Sequence, residues 1–137
     1  MSKDARRALF ERHLRAENAR DMDDALGTLT EDCVFEDLAM GRIVTGHAGA
    51  REHYELWWRA FKPTVTPERL HWTEDGGAIA EVRWRGYHDG EFLAIKPTHR
   101  EIDVPVAIFV SFGEGELVAG KRFYYDLSTL RRQLAAG

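Results

Sequence analysis

The sequence predicts an α+β fold in which helices precede an antiparallel sheet, and three observations carry that reading. Apolar residues recur at three- and four-residue steps over two long stretches before Pro63, the mark of helices with one buried face. Beyond Pro63 the pattern changes to alternation, the period of strands. Gly76-Gly77, Asp89-Gly90 and Gly113-Glu114-Gly115 divide that alternating region with turns. The 137 residues, 44% hydrophobic and 31% charged, have the size and balance of one domain over 1–137.

Taken in order, Lys3 to Ala19 reads as a helix whose apolar stripe is Ala5, Leu9, Phe10, Leu14 and Ala16. His13 falls within the stripe, either as a boundary residue bonded to backbone or as a ring facing whatever the helix covers. Asp21 or Asp23 would cap a second short helix running through Leu29 by accepting orphan amide hydrogen bonds. Around residue 35 the period becomes two, so Asp37 shares a face with Phe35 and Cys33. If that face is covered, burial raises the carboxyl pKa and Asp37 becomes an acid or base able to work near neutral pH; if it is open, Asp37 only solubilises a strand end. Gly41 supplies a turn, Arg42-Ile43-Val44 a brief strand, and Thr45-Gly46 lead into a helix from His47 to Phe61. Its stripe of Ala50, Tyr54, Trp57 and Phe61, widened by Trp58, needs a large concave partner. Tyr54 and Trp57 are then either plain core or the wall of a ligand pocket.

The second half reads as a meander of strands near Val65 to Glu74, Ala78 to His88, Glu101 to Phe112 and Leu117 to Asp126. Ala80, Val82, Trp84, Gly86 and His88 share one face of the second strand, which sets an imidazole over the core. The third strand is apolar on both faces, with Ile102, Val104, Val106, Ile108 and Val110 against Pro105, Ala107 and Phe109. Helices cover only one face of such a sheet, so a homodimer through the outer face is expected. The last strand sets Asp126 with Val118, Arg122 and Tyr124, and a helix from Leu127 to Leu134 follows directly. Asp126 is either the cap of that helix or an acid/base in a pocket, with Arg122 one possible partner.

Composition excludes several classes. A net charge of -4, with no basic stripe interleaved with aromatics, argues against a nucleic-acid partner. The single Cys33 forbids an internal disulfide and suits a reducing cytoplasm, and no apolar run approaches a membrane span. No dinucleotide, phosphate-loop, nucleophile-elbow or zinc-protease motif occurs, and the six histidines lack ligand spacing, so neither metal nor cofactor is expected.

Several spaced motifs resemble one family. Gly86-Tyr87-His88-Asp89-Gly90-Glu91-Phe92, Pro97-Thr98-His99-Arg100, Val104-Pro105-Val106-Ala107-Ile108-Phe109, and Tyr124-Tyr125-Asp126 with Leu130 and Gln133-Leu134 resemble, in order, the SnoaL-like polyketide cyclases of the nuclear transport factor 2-like superfamily. The resemblance implies a curved sheet wrapped around helices to form a conical cavity. It further implies that Asp126 serves as general acid/base for an aldol-type closure, with His88 beside it. The first half also resembles ketosteroid isomerase: Glu31-Asp32-Cys33-Val34-Phe35-Glu36-Asp37 and Gly46-His47-Ala48-Gly49-Ala50-Arg51-Glu52-His53-Tyr54 follow that pattern. This second likeness sets Asp37 at the isomerase base, His13 at its tyrosine donor and Ala107 at its protonated aspartate. The expected catalytic set is therefore Asp126, His88 and Asp37, and the expected ligand wall His13, Tyr54, Trp57, Trp84, Phe109 and Tyr124. Cofactor-free acid/base chemistry on a small hydrophobic carbonyl compound is the leading reading. Epoxide hydrolysis, as in limonene epoxide hydrolases, would need Arg122 or Arg83 between acids in the cavity. A non-catalytic ligand carrier or assembly domain is the third, since fold does not fix function.

Overall fold

Each of the first two helices starts where a side-chain oxygen replaces a missing backbone acceptor. In the computed structural model, which describes residues 1–135, Ser2 Oγ accepts the Ala5 amide (3.1 Å) to open α1 (Lys3–Ala19). Arg20, left-handed at φ 54°, closes it on the Ala16 and Glu17 carbonyls. Asp21 caps α2 (Met22–Gly27), which stops before Leu29 because Leu29 opens the first strand. The buried face of α1 carries Leu9, Phe10, Leu14 and Ala16 as the stripe predicts, and with them His13 and Glu17. Asn18 then ties the helix end to the sheet, donating to the Val65 carbonyl (3.0 Å) and accepting the Val65 amide (2.8 Å).

The remaining elements are β1 (Leu29–Asp37), β2 (Arg42–Thr45), α3 (Gly46–Phe61), β3 (Thr64–Trp72), β4 (Ala78–Tyr87), β5 (Glu101–Gly113), β6 (Leu117–Tyr124) and α4 (Leu127–Leu134). The strands form one curved six-stranded sheet in the order β2-β1-β6-β5-β4-β3. Every neighbouring pair is antiparallel except β1 and β6, which run parallel, so the sheet is mixed rather than wholly antiparallel. Helices α1 and α3 pack inside the curve, where Leu9, Phe10, Trp57 and Phe61 share one core with Val82, Trp84, Val104, Val106 and Ile108. Helix α4 docks on β5 through buried Leu130 and Leu134, while Gln133 accepts the Asp103 amide (2.7 Å) and donates to the Asp103 carbonyl (2.8 Å).

One irregularity decides which side chains enter the core. Ser111 pairs with Gly120 but Phe112 with Val118, leaving Ala119 as an extra residue on β6 relative to β5; the pairing with β1 also shifts there, with Leu29 opposite Val118 and Val34 opposite Gly120. Such a bulge reverses the parity of the strand beyond it. Val118 faces in, yet two-residue counting from it fails: Lys121 and Phe123 are buried while Arg122 and Tyr124 face out. This corrects the expectation that Val118, Arg122, Tyr124 and Asp126 share a face.

The last turn of α3 meets the end of β4 without room for side chains. A Cβ on Gly86 would stand 2.5 Å from the Phe61 carbonyl oxygen, and one on Gly90 2.1 Å from that of Arg59. The Asp89 and Gly90 amides both donate to the Ala60 carbonyl at 3.0 Å, satisfying a helix-end acceptor. Gly90→Ala is expected to lower stability by about 2 kcal/mol, since a methyl there drives backbone apart, and urea unfolding against Gly115→Ala, where φ is positive but no backbone lies close, separates the crowding at Gly90 from the backbone strain at Gly115.

Candidate functional site

Two buried polar centres lie inside the curve of the sheet. The first stands on β1. The face of Cys33, Phe35 and Asp37 is covered, and Asp37 is 3% exposed. Its Oδ1 accepts the Met40 amide (3.0 Å) and its Oδ2 the Tyr125 hydroxyl (2.8 Å). Burial raises the carboxyl pKa, and those two hydrogen bonds offset only part of the rise. Burial and the neighbouring carboxylate in turn raise the Tyr125 phenol. The Tyr125 ring leans on Trp84 (5.3 Å between centroids) and Trp57 (5.8 Å).

The second centre joins α1 to β6. Thr28 Oγ1 donates its one proton to the Ala25 carbonyl (2.6 Å), so the 2.6 Å contact from His13 Nδ1 must be donated by the ring. His13 therefore carries its proton on Nδ1, and its Nε2 accepts from Lys121 Nζ (2.8 Å). Lys121 also donates to Glu17 Oε2 (2.9 Å) and lies over the Phe35 and Phe123 rings, 5.3 Å from each. Burial would push Glu17 up, but the Lys121 ammonium, His13 and hydrogen bonds from Lys121 and Tyr54 together bring it down to about 2. Burial, then the Lys121 charge, lower both His13 and His53 to about 3, so both rings are neutral at pH 7. His53 stacks on Phe123 at 4.8 Å.

Between these groups lies a cavity of about 20 Å³, room for one oxygen-sized group, walled by Glu17, His53, Tyr54, Trp57, Trp58, Pro63, Val65, Trp84, Ile108, Lys121 and Phe123. The aromatic side chains fill the rest of the cone. Of the expected ligand wall, Tyr54, Trp57 and Trp84 border this cavity, and His13 stands behind Lys121. Phe109 and Tyr124 do not reach it; they pack on one another (5.1 Å) on the outer face, with Arg122 over both rings. Arg83 pairs with Asp103 (2.8 Å), so neither arginine sits between acids inside, as epoxide hydrolysis would need.

The expected pairing of Asp126 with His88 does not form. Asp126 is exposed, capping α4 through the Ser128 amide (3.0 Å) and the Thr129 hydroxyl (2.8 Å), and these bonds hold its carboxyl below the usual range. The bulge at Ala119 is the reason: it turns Tyr125 inward and leaves Asp126 outside. His88 is fully buried, but against Phe61 (5.4 Å) rather than in the cavity. Its Nδ1 accepts the Thr98 amide (3.1 Å), and its backbone bonds Arg100 and His99. The Gly86–Phe92 and Pro97–Arg100 motifs thus clamp each other around one loop. Sequence reasoning missed Glu17, His53, Lys121 and Tyr125. Glu17 was within reach as the residue four after His13 on one helix face, whereas Lys121 and Tyr125 required the bulge, whose local sign is Gly120 inside a strand. Among the described residues no three His, Cys, Asp or Glu side chains gather as a metal site, and no helix is long and apolar enough to cross a membrane.

The geometry defines an α+β cone with buried acid, base and aromatic groups, and the comparisons give it a family. The model of the SnoaL-like domain matches residues 10–120, and the chain belongs to that family. A candidate SnoaL-like polyketide cyclase from Jannaschia sp. CCS1 is 21% identical, with a TM-score of 0.86 over 100% of this chain and 97% of its own. TsrD from Streptomyces laurentii is 23% identical, with a TM-score of 0.84 over 100% and 99%. A Catenulispora acidiphila protein of ketosteroid isomerase-like fold, solved with trimethylamine, is 20% identical, with a TM-score of 0.76 over 91% and 90%. At these identities the likeness is one of fold. Among curated proteins none matches the chain in sequence.

Both neutral histidines make stability depend on pH. Their folded pKa of about 3 lies below the ordinary 6.5, so the unfolded chain binds their protons first. Stability is then full above about pH 6.5 and falls toward pH 3, with a slope approaching two protons. Urea unfolding across this window is expected to show that slope, and His53→Phe to reduce it by about one proton. Lys121→Met, which strands the Glu17 charge, should cost about 3–5 kcal/mol, and adding Glu17→Gln should restore part of it in the same measurement.

Proposed function

We propose that the chain is a cofactor-independent acid/base catalyst acting on a small hydrophobic carbonyl compound, by aldol-type closure or isomerisation, with Asp37 taking the proton next to the carbonyl. The observation that carries this reading is Asp37 itself: a carboxylate 3% exposed, raised in pKa by burial and held by Tyr125 beside Trp57 and Trp84. A general base works best when its pKa approaches the working pH, and burial moves an aspartate in that direction. The exposed, capped state of Asp126 favours Asp37 over it. The polyketide cyclase names of several structural neighbours support the aldol class.

Proton abstraction is read most directly as exchange. In D2O the protein is expected to incorporate deuterium next to the carbonyl of a bicyclic ketone such as 2-tetralone faster than buffer does, followed by NMR. Asp37→Asn should lower that rate by about 100-fold or more. The rate should fall as pH drops through the Asp37 pKa, with a midpoint above the ordinary 3.8. A group raised in the folded state loses stability on ionising, so at pH 7 Asp37→Asn should unfold no lower in temperature than the parent, and unchanged exchange in that variant would remove Asp37 from the mechanism.

We also propose that the outer sheet face pairs with a second copy of the chain. Tyr124, 39% exposed, packs on half-buried Phe109 of a strand that is apolar on both sides, and Val34, 40% exposed, lies on the same outer face. Light scattering should give twice 15.7 kDa at micromolar concentration, and Phe109→Glu should return a single 15.7 kDa chain.

A further inference from the structure

On the reading above, the oxygen of a carbonyl substrate needs hydrogen-bond donors inside the cone. His13 cannot serve, because its Nδ1–H is committed to Thr28 and its Nε2 is an acceptor. Two other groups on the same cavity wall can. The Lys121 ammonium has three N–H donors, of which one goes to His13 and one to Glu17. The third meets only aromatic faces among the described residues. Trp57 is 3% exposed, and its indole Nε1–H is buried with no partner. Buried donors are ordinarily satisfied, so two spare ones on residues that wall the same oxygen-sized space point to an acceptor there. Because Glu17 already balances the Lys121 charge and His13 is neutral, the space favours a neutral acceptor over an anion. The remainder of such a ligand has to displace the rim, where half-buried Trp58 stacks on Tyr54 at 4.9 Å.

We propose that Lys121 Nζ and Trp57 Nε1 form the subsite that binds the carbonyl oxygen of a neutral hydrophobic ketone. This rests on the carbonyl-compound reading above but not on Asp37 as the base. Charge that gathers on that oxygen as a neighbouring proton leaves would strengthen the same two hydrogen bonds, so the donors would stabilise an oxyanion as well as bind the ketone.

The test is isotope-edited infrared spectroscopy of 2-tetralone labelled with carbon-13 at the carbonyl, bound to the full chain, with tetralin as the hydrocarbon control. The bound carbonyl stretch is expected below its value in apolar solvent. Trp57→Phe should move it back toward that value and weaken 2-tetralone binding by up to about tenfold while leaving tetralin unchanged. Since Lys121→Met alone endangers folding, the Lys121→Met/Glu17→Gln double variant, which keeps the space neutral, should also move the stretch back. A stretch equal to that in apolar solvent, equal affinity for ketone and hydrocarbon, no 2-tetralone binding up to its solubility, or a shift that survives either variant would overturn the proposal. Asp37→Asn should leave the shift in place; a shift without deuterium exchange would defeat only the assignment of the base.

Discussion

A lysine ammonium sealed inside an aromatic cone is the constraint from which the rest of this structure follows. A lone buried charge is costly enough that the fold must supply a counter-ion and hydrogen-bond acceptors at fixed positions. Here they come from one helix, α1, as Glu17 and His13. His13 can accept only because its proton is held by Thr28, which in turn is committed to the Ala25 carbonyl at the end of α2. A chain of directional bonds thus runs from α2 through α1 to β6, and it fixes the rotation of α1 against the sheet more tightly than its apolar stripe could.

That arrangement depends on a single extra residue. Without the bulge at Ala119, the parity of β6 set by Val118 would turn Arg122 and Tyr124 into the cone and send Lys121, Phe123 and Tyr125 to the surface. The bulge therefore selects both the cation that organises α1 and the phenol that holds Asp37. It also moves Asp126 out of the cavity, where the aspartate becomes a helix cap. One extra residue in β6 thus leaves Asp126 outside, while the alternation of β1 keeps Asp37 inside.

The helices and strands were legible because their periods are set by burial against a single core, and Asp37 was legible because β1 keeps its alternation up to its last residue. The inward aspect of His88 was equally readable, since β4 alternates regularly to its end. What lay beyond reach had non-local causes. The parity of β6 is fixed by its pairing with β1 and β5, and Gly120 only hints at it. His88 points inward, but what covers it is Phe61 from α3 and a loop returning through Thr98, contacts between residues far apart in sequence. The parallel pairing of β1 with β6 is likewise a property of the closed sheet.

The two polar centres stand on opposite sides of the same aromatic wall, and Trp57 belongs to both. Its ring touches Tyr125, the partner of Asp37, at 5.8 Å, and it lines the cavity that Lys121 enters. A ketone whose oxygen occupies the Lys121 space can present its neighbouring carbon to Asp37 only by displacing part of this wall, since aromatic side chains occupy the intervening volume. Displacement is easiest at Trp58, which is half-buried at the rim, and hardest at Trp57 and Trp84, which pack at 4.7 Å in the centre. Opening from the rim would also bring the charged pair closer to water, weakening the desolvation that raises the Asp37 carboxyl and keeps His13 and His53 uncharged. On the proposed reading, the site would be most strongly perturbed when closed around a ligand, and a hydrophobic one that replaces the displaced ring surface would maintain that state where water would dissipate it.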